Sequence, residues 1–423
     1  MKNRYSPQTL SAMLLVTGTC IGGGMLALPV ATAPAGFIPS TCVMFFAWLA
    51  MTCSALYFIE AGFWMKKEDA HVISMAERFL KTPGKTVSWV VYLFICYASL
   101  VAYTAGSGHM FMHALNKALN THFSREWGCI LFTLIFGPLL YLKHTTLGKI
   151  NSWLVAAMIV AYVLLIGLSA PSVHSELLTT SRWGYSLACL PLLLTAFSFQ
   201  TMVPSLHSYL QHDKRSLRVA IIGGTSFAFI VYLVWQIVVL GTVPFAGSFG
   251  LQEALKQGEP ATHFLGMQVG NAWVEICANF FAFFALVTSY LGIGLGLFDF
   301  LSDGLKIPKK GTGALLLTAL IIIPVLFSST LLERVFLLAL DLSGGFGDTI
   351  LNGMIPVLMV WVGRYVMHLG KSATTVPGGK WALVLTFAFF FATLLIEVAL
   401  RTDCVHLAYN PTDINLTQEA GEL

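Results

Sequence analysis

The sequence predicts an all-α polytopic membrane protein, arranged as two five-span halves of opposite topology with an eleventh helix appended. Three observations predict it. Charged residues are only 10% of the 423-residue chain and apolar residues 57%, whereas a soluble domain carries about 25% charged residues to cover its surface. Eleven apolar runs approach the roughly 20 residues that a bilayer-crossing helix needs. Two of those runs, in corresponding positions of the two halves, carry glycine or proline where a straight helix would continue.

The runs lie at about 9–35, 38–65, 86–114, 127–142, 150–170, 185–210, 219–243, 272–301, 313–330, 335–363 and 381–400. The first is too long for a cleaved leader, holds Gly22-Gly23-Gly24 at its centre and lacks an A-x-A site before Pro29. Between runs two and three, Val72, Ile73, Met75, Ala76, Phe79 and Leu80 recur at helical spacing. That pattern predicts a short helix lying in the membrane interface. Residues 244–271 form the longest connection at the other face.

Basic residues set the orientation. With the N-terminus inside, Lys2, Arg4, Lys66, Lys67, Arg78, Lys81, Lys85, Lys143, Lys149, Lys214, Arg215, Arg218, Lys306, Lys309, Lys310, Arg364, Lys371 and Lys380 are cytoplasmic. Only Lys117, Arg125, Arg182, Lys256, Arg334 and Arg401 are external. This asymmetry predicts a cytoplasmic N-terminus and an external C-terminus. One transmembrane domain over 1–400 is expected, with a first repeat at 9–170, a second at 185–363 and an extra helix at 381–400. An external tail follows at 401–423, with a glycosylation sequon at Asn415-Leu416-Thr417.

Several function classes are excluded. A net charge of +4 is too small for a nucleic-acid partner. The chain has no GxxxxGK[ST], HExxH or nucleophile elbow, so an enzyme is not expected. Seven of eight cysteines (Cys20, Cys42, Cys53, Cys96, Cys129, Cys189 and Cys277) lie in or beside apolar runs, and Cys404 lies in the tail. Without a CxxC they read as small apolar residues rather than as disulfide or zinc ligands. His109 and His113 have metal-ligand spacing on one helix face but no evident third ligand, so no metal and no cofactor are predicted.

The broken runs define the site. Consecutive glycines cost a helix about 1 kcal/mol each relative to alanine, and the first run reads Thr17-Gly18-Thr19-Cys20-Ile21-Gly22-Gly23-Gly24 at mid-membrane depth. In the sixth run Pro204 cannot donate to the carbonyl four residues back, which frees the backbone around Phe197, Ser198, Phe199 and Gln200. Unwound backbone at this depth is tolerated only where it is buried or lines a cavity. A half-helix beginning after Gly22 offers N–H groups and a positive dipole end to a carboxylate. Carbonyls freed near Thr17, Gly18 and Phe197 suit an ammonium group. Together they read as a receptor for a small zwitterion. Close helix packing through Gly18-x-x-x-Gly22 is the competing explanation of the first run alone.

Three motifs carry a resemblance. The stretch from Gly18 through Gly22-Gly23-Gly24 to Pro29 resembles the first helix of the bacterial hydroxy/aromatic amino acid permeases, the tyrosine and tryptophan transporters of the amino acid–polyamine–organocation superfamily. Phe197-Ser198-Phe199-Gln200-Thr201-Met202-Val203-Pro204-Ser205 resembles their broken sixth helix, and Gly292-Ile293-Gly294-Leu295-Gly296-Leu297-Phe298-Asp299 their eighth. The resemblance implies a leucine-transporter-like 5+5 inverted repeat with discontinuous helices 1 and 6. It also implies a monomer in the bacterial inner membrane that imports an aromatic amino acid, tyrosine first and tryptophan second, by proton symport through alternating access. A Na⁺-coupled symporter or exchanger of a neutral amino acid with the same fold is the alternative.

Side chains at the depth of the breaks are candidates for reading the substrate. Tyr97, Val101, Ala102 and Tyr103 of the third run, with Phe197 and Phe199, could pack an aromatic ring, and Gln200 could bond a phenol or indole. Thr288 and Ser289 in the eighth run could cage Na⁺ with freed carbonyls of the first. An acid within a span is a functional candidate by default. Asp341 and Asp348 flank Ser343-Gly344-Gly345-Phe346-Gly347, in a run long enough to require a tilt or a break at the glycines. Water removal disfavours a charged Asp348, which suits it to take a proton from one side and release it on the other. Here the sequence departs from the family's pattern of small residues without acids. For Asp341 an ion pair with Arg334 competes. Glu60, Asp299 and Asp303 are candidates for a cytoplasmic gate, the last two near Lys306, with solvated helix ends the competing reading. Glu275 is expected in water, and Glu397 carries no distinguishing signal.

Overall fold

In a computed structural model of the chain, residues 7–65, 71–142, 144–332, 334–370 and 376–402 are described, and every regular element among them is helical. The tail with Cys404 and the sequon, and the basic residues Lys2, Arg4, Lys66, Lys67, Lys143 and Lys371, lie outside the described residues.

The first run divides into α1 (Pro7–Cys20) and α2 (Gly23–Thr32), bent by 54° at the glycines. Then come α3 (Phe37–Phe63), α4 (Val72–Leu119), α5 (Arg125–Phe136) and α6 (His144–Ser169). The sixth run is also divided, into α7 (Leu190–Ala196) and α8 (Val203–Tyr209), with irregular backbone and a short 3₁₀ turn at Gln200–Met202 between them. Next are α9 (Lys214–Thr242), the two connecting helices α10 (Leu251–Gln257) and α11 (Ala261–Val269), α12 (Ala272–Leu305) and α13 (Gly311–Leu331). The tenth run comprises α14 (Val335–Leu342) and α15 (Ile355–Trp361), and α16 (Gly379–Arg401) is the last helix.

Three expectations are corrected in detail. The predicted interfacial helix exists at the start of α4, separated from the spanning part by a kink at Lys81 (φ 59°). Its apolar face does not meet lipid, because Val72, Met75, Ala76 and Phe79 are buried in the core. The fourth run forms a 12-residue helix continued by a 5-residue 3₁₀ segment, Gly137–Tyr141. With only 12 residues, α5 is not among the nine helices, ten with the divided first run, that are long and apolar enough to cross a membrane among the described residues. The tenth run neither breaks nor stays α-helical at its glycines. Between α14 and α15 it winds as a 12-residue π-helix, Ser343–Met354.

Glycine explains why α7 can cross this π-helix closely. A side chain at Gly344 would overlap the Pro191 carbonyl oxygen and come within 2.5 Å of Thr195 Oγ1. Such small-residue crossings are how spans pack where lipid supplies no hydrophobic drive. The core has the two divided spans at its centre, with α2 against α7, α1 against α9, and the π-helix against α7, α4 and α16.

Candidate functional site between two divided helices

The glycines of the first break lie closely against three other helices. A side chain at Gly23 would strike the Tyr103 ring, whose Cδ1 lies 2.6 Å from that position, and one at Gly22 would strike the Ser289 hydroxyl. One at Gly24 would lie 3.2 Å from Ala196 Cα. The break is therefore lined by Tyr103 of α4, Ser289 of α12 and the end of α7. Gly22 takes extended backbone (φ −161°) before α2 begins, so the first N–H groups of α2 have no intrahelical acceptor.

Gly18 is different, since an added side chain there would meet nothing within 4 Å. Thr17 faces away from the break and donates to the Met13 and Gly224 carbonyls at 3.0 and 2.9 Å. Its own carbonyl stays in the helix, accepting from the Ile21 N–H at 3.0 Å. The carbonyls that diverge from helical pairing lie further on. Cys20 and Ala196, one at each break, present their oxygens to the same hydroxyl: Tyr232 Oη of α9 is 2.6 Å from both. One hydroxyl carries one hydrogen, so it can donate to only one of the two at a time. Phe197 packs edge-on against the Tyr232 ring at 5.1 Å.

Tyr232 was not among the residues the sequence singled out. The signal lay in run seven, where Tyr232, Trp235 and Gln236 place three polar-tipped side chains on one helix face. Trp235 donates to the Met25 carbonyl at 2.9 Å, and Gln236 pairs with Thr32 at 2.8 Å. All three are fully buried.

The remaining substrate candidates divide. Val101, Ala102, Tyr103, Phe197 and Phe199 are buried around the breaks. Tyr97 instead donates its hydroxyl to the Leu320 carbonyl of α13 at 2.9 Å. Gln200 is fully buried and commits its amide to the backbone, accepting from Phe199 N–H at 2.9 Å and donating to the Met51 carbonyl at 3.2 Å. Thr288 bonds back to the Phe284 and Ala285 carbonyls of its own helix.

Ser198, within the second break, reaches the tenth span. Its hydroxyl donates to Asp348 Oδ1 at 2.6 Å. Asn352, one turn further along, donates to the same oxygen at 2.6 Å and to Ser198 Oγ at 3.0 Å. Asn352's carbonyl in turn accepts from Ser54 of α3. Asp348 and Asn352 are fully buried, and Asp348 Oδ2 has no protein partner.

The other acids form ion pairs that the sequence anticipated only in part. Arg364 grips Glu60 with two bonds of 2.5 and 2.7 Å, Glu60 being fully buried. Asp341 does not pair with Arg334. It binds Arg401 at 2.5 Å, and Arg401 also binds Glu397 at 2.9 Å. Arg334 instead adopts a left-handed turn (φ 54°) that starts α14. Asp299 and Asp303 meet Lys309 at 2.9 and 3.6 Å rather than Lys306, which ends α12 in a left-handed turn of φ 56°. Glu275, expected in water, is half-buried. His109 gains neighbours that spacing could not reveal: Glu259 at 2.8 Å, with the His263 ring 6.4 Å away and His113 4.6 Å beyond it.

Comparison with known proteins agrees with this architecture. A model of the tryptophan/tyrosine permease family matches residues 5–397. The tyrosine-specific transport system 1 of Haemophilus influenzae is 30% identical, over 93% of this chain and 97% of its own length. The tryptophan-specific transport protein of the same organism is 27% identical, over 94% and 97%. The solved structure of MhsT in complex with L-phenylalanine covers 94% of this chain and 99% of its own, with a TM-score of 0.64. At 13% identity that likeness is one of fold.

Proposed function

The chain belongs to the tryptophan/tyrosine permease family, and on that premise we propose that it imports an aromatic amino acid, tyrosine first and tryptophan second, together with a proton. The import runs through the bacterial inner membrane, from the face opposite the N-terminus. The substrate carboxylate docks on the free N–H groups at the start of α2, where the helix dipole is positive. The Tyr103 ring and the Ser289 hydroxyl border that position. The ammonium takes the Cys20 or Ala196 carbonyl that Tyr232 leaves unpaired, and Phe197 with Val101 and Ala102 covers the ring.

The observation that carries the coupling is the Ser198–Asp348 bond of 2.6 Å, which ties the second break to a buried acid of the tenth span. Ionised Asp348 holds Ser198 and Asn352 through charge-assisted bonds, stronger than neutral ones. Protonation removes the charge, weakens both bonds and frees the Phe197–Phe199 segment to move. Substrate and proton thereby act on the same piece of backbone, which is what symport requires. Buried Glu60–Arg364 holds α3 against the end of the tenth span and gates the face at which the chain begins. Lys309 with Asp299 and Asp303 adds to that gate. The apposition of Ser289 and Gly22 favours one second reading, an oxygen cage for Na⁺ built with Thr288.

The test is uptake of labelled tyrosine into proteoliposomes under an imposed proton or Na⁺ gradient, with the other amino acids as competitors. Proton-driven accumulation blocked by tryptophan supports the first reading, and a Na⁺ requirement selects the second. No uptake of either aromatic amino acid discards the substrate assignment.

A further inference from the structure

Arg401, Asp341 and Glu397 form a cluster with two carboxyl groups and one guanidinium. Arg401 bonds Asp341 Oδ2 at 2.5 Å and Glu397 Oε1 at 2.9 Å. Glu397 is fully buried, whereas 22% of the Asp341 and Arg401 side chains remains accessible. If both acids were ionised, the cluster would hold an uncompensated negative charge inside a membrane protein, an expensive arrangement. One bound proton makes it neutral.

The geometry indicates where that proton sits. Glu397 Oε2 is buried without a hydrogen-bond partner, while the other carboxylate oxygen of Glu397 accepts from Arg401. Buried polar atoms without partners are uncommon and call for a cause. Three more occur on the neighbouring π-helix, Ser343 Oγ, Asp348 Oδ2 and Asn352 Oδ1. Glu397 also lies against that helix directly: a side chain at Gly345 would come 2.6 Å from its carboxyl carbon. Gly345 is three residues from Asp348. Proline is absent from the π-helix, and its glycines leave room for the carboxyl to approach.

We propose that Glu397, paired with Asp341 through Arg401, is the proton-loading group of this carrier. It takes up a proton on Oε2 from the face opposite the N-terminus and passes it along the π-helix to Asp348. In that transfer the O–H bond on Glu397 Oε2 breaks and one forms on Asp348 Oδ2, by way of the Ser343 hydroxyl or water. No electron pair changes owner. Glu397 is left ionised and paired to Arg401, ready for the next proton. This inference rests on the proton-coupled reading above, but its first test does not.

The experiment combines infrared difference spectroscopy with uptake, both on the full-length protein in lipid. At neutral pH the wild type should show a protonated-carboxyl absorption that survives Asp348→Asn and disappears in Glu397→Gln. Where Glu397→Gln does not fold, Asp341→Asn serves instead: with one acid left per arginine, the same absorption should disappear. Its persistence in either variant overturns the proposal. In uptake, Glu397→Gln should slow the initial proton-driven rate by about 100-fold, the low end of what a positioned proton-transfer group supplies. The rate should also lose its dependence on pH at that face, and Glu397→Asp should partly restore both. An unchanged rate and pH profile in Glu397→Gln overturns the loading role even if the absorption is lost. A wild type that accumulates nothing under a proton gradient refutes the symport reading, and the infrared result then decides separately whether Glu397 holds a proton.

Discussion

Replacing Asp348 by asparagine separates the fold from the coupling. Asparagine has the shape of aspartate, and its oxygen can keep the two 2.6 Å bonds from Ser198 and Asn352. The new NH₂ replaces Oδ2, which has no protein partner. A buried donor left unpaired costs about 1–3 kcal/mol, against a typical folding stability of about 5–15 kcal/mol. The variant should therefore fold, insert and exchange labelled for unlabelled substrate. It has no proton to carry. One proton moving down a gradient of one pH unit releases about 1.36 kcal/mol, enough for a tenfold concentration ratio. Across a gradient of about two units the wild type should accumulate tyrosine about 100-fold, and Asp348→Asn should level at equal concentrations on both sides. The assay is filtration uptake at fixed internal buffering, with the exchange rate as the folding control. A variant that exchanges and also concentrates tyrosine to the wild-type ratio would refute the assignment.

Other consequences follow from the same geometry. Glu60→Gln keeps an acceptor for Arg364 but removes its counter-charge, leaving a guanidinium that is only 10% accessible uncompensated, which should cost about 3–5 kcal/mol; a melting temperature in detergent equal to that of the wild type would count against a structural pair there. Gly23→Ala drives a methyl into Tyr103, an overpacking cost of about 1–3 kcal/mol, so substrate affinity should fall roughly tenfold or more. The same change at Gly18, which faces open space, should leave affinity within about twofold, and equal effects at both positions would contradict the placement of the carboxylate. The contact between α4 and the segment holding Glu259 and His263 should weaken in acid. At Glu259 burial pushes the carboxyl up, but the His109 hydrogen bond and the charges of His109, His263 and His113 more than offset it, leaving it below the usual carboxylate value. At His263 burial, with the charges of His113 and His109, outweighs Glu259 and Glu275 and holds the ring below its ordinary 6.5. Both groups bind protons more readily when the contact opens, so its stability is lost as pH falls below the ordinary histidine value and then through the carboxylate range. Protection of α11 against hydrogen exchange, taken relative to the intrinsic rate at each pH, should fall between about pH 8 and pH 5, and His263→Gln should flatten the change.

The divided helices were legible because glycine and proline act locally: Gly22–Gly24 and Pro204 weaken helical pairing at the two places where the spans divide. Most of the spans were legible for a similar reason, since hydropathy depends on each run alone: among the described residues nine helices are long and apolar enough to cross a membrane, ten with the divided first run, against eleven expected. The partners of the buried acids were not. Glu60 and Arg364 lie 304 residues apart, and no pattern within either run points to the other. Glu397 and Arg401 are an acid and a base one turn apart on a mostly apolar helix, but charge near a span end usually reaches water, so their spacing does not distinguish Glu397. The π-helix escaped the sequence because Gly344, Gly345 and Gly347 permit a break, a kink or a wider winding equally. Packing against α7 and Glu397 selects the last. Tyr232 was hidden by abundance: aromatic residues make up 13% of the chain, and only the folded arrangement sets one of their hydroxyls between two breaks.

The central claim is that substrate and proton move together through one site, and proton movement driven by substrate tests it most directly. Proteoliposomes with equal pH on both sides and a pH-sensitive dye inside would receive tyrosine externally. The account predicts acidification of the lumen at the rate of tyrosine entry, with tryptophan acting alike and Asp348→Asn abolishing it. Tyrosine entry with an unchanged internal pH would contradict it.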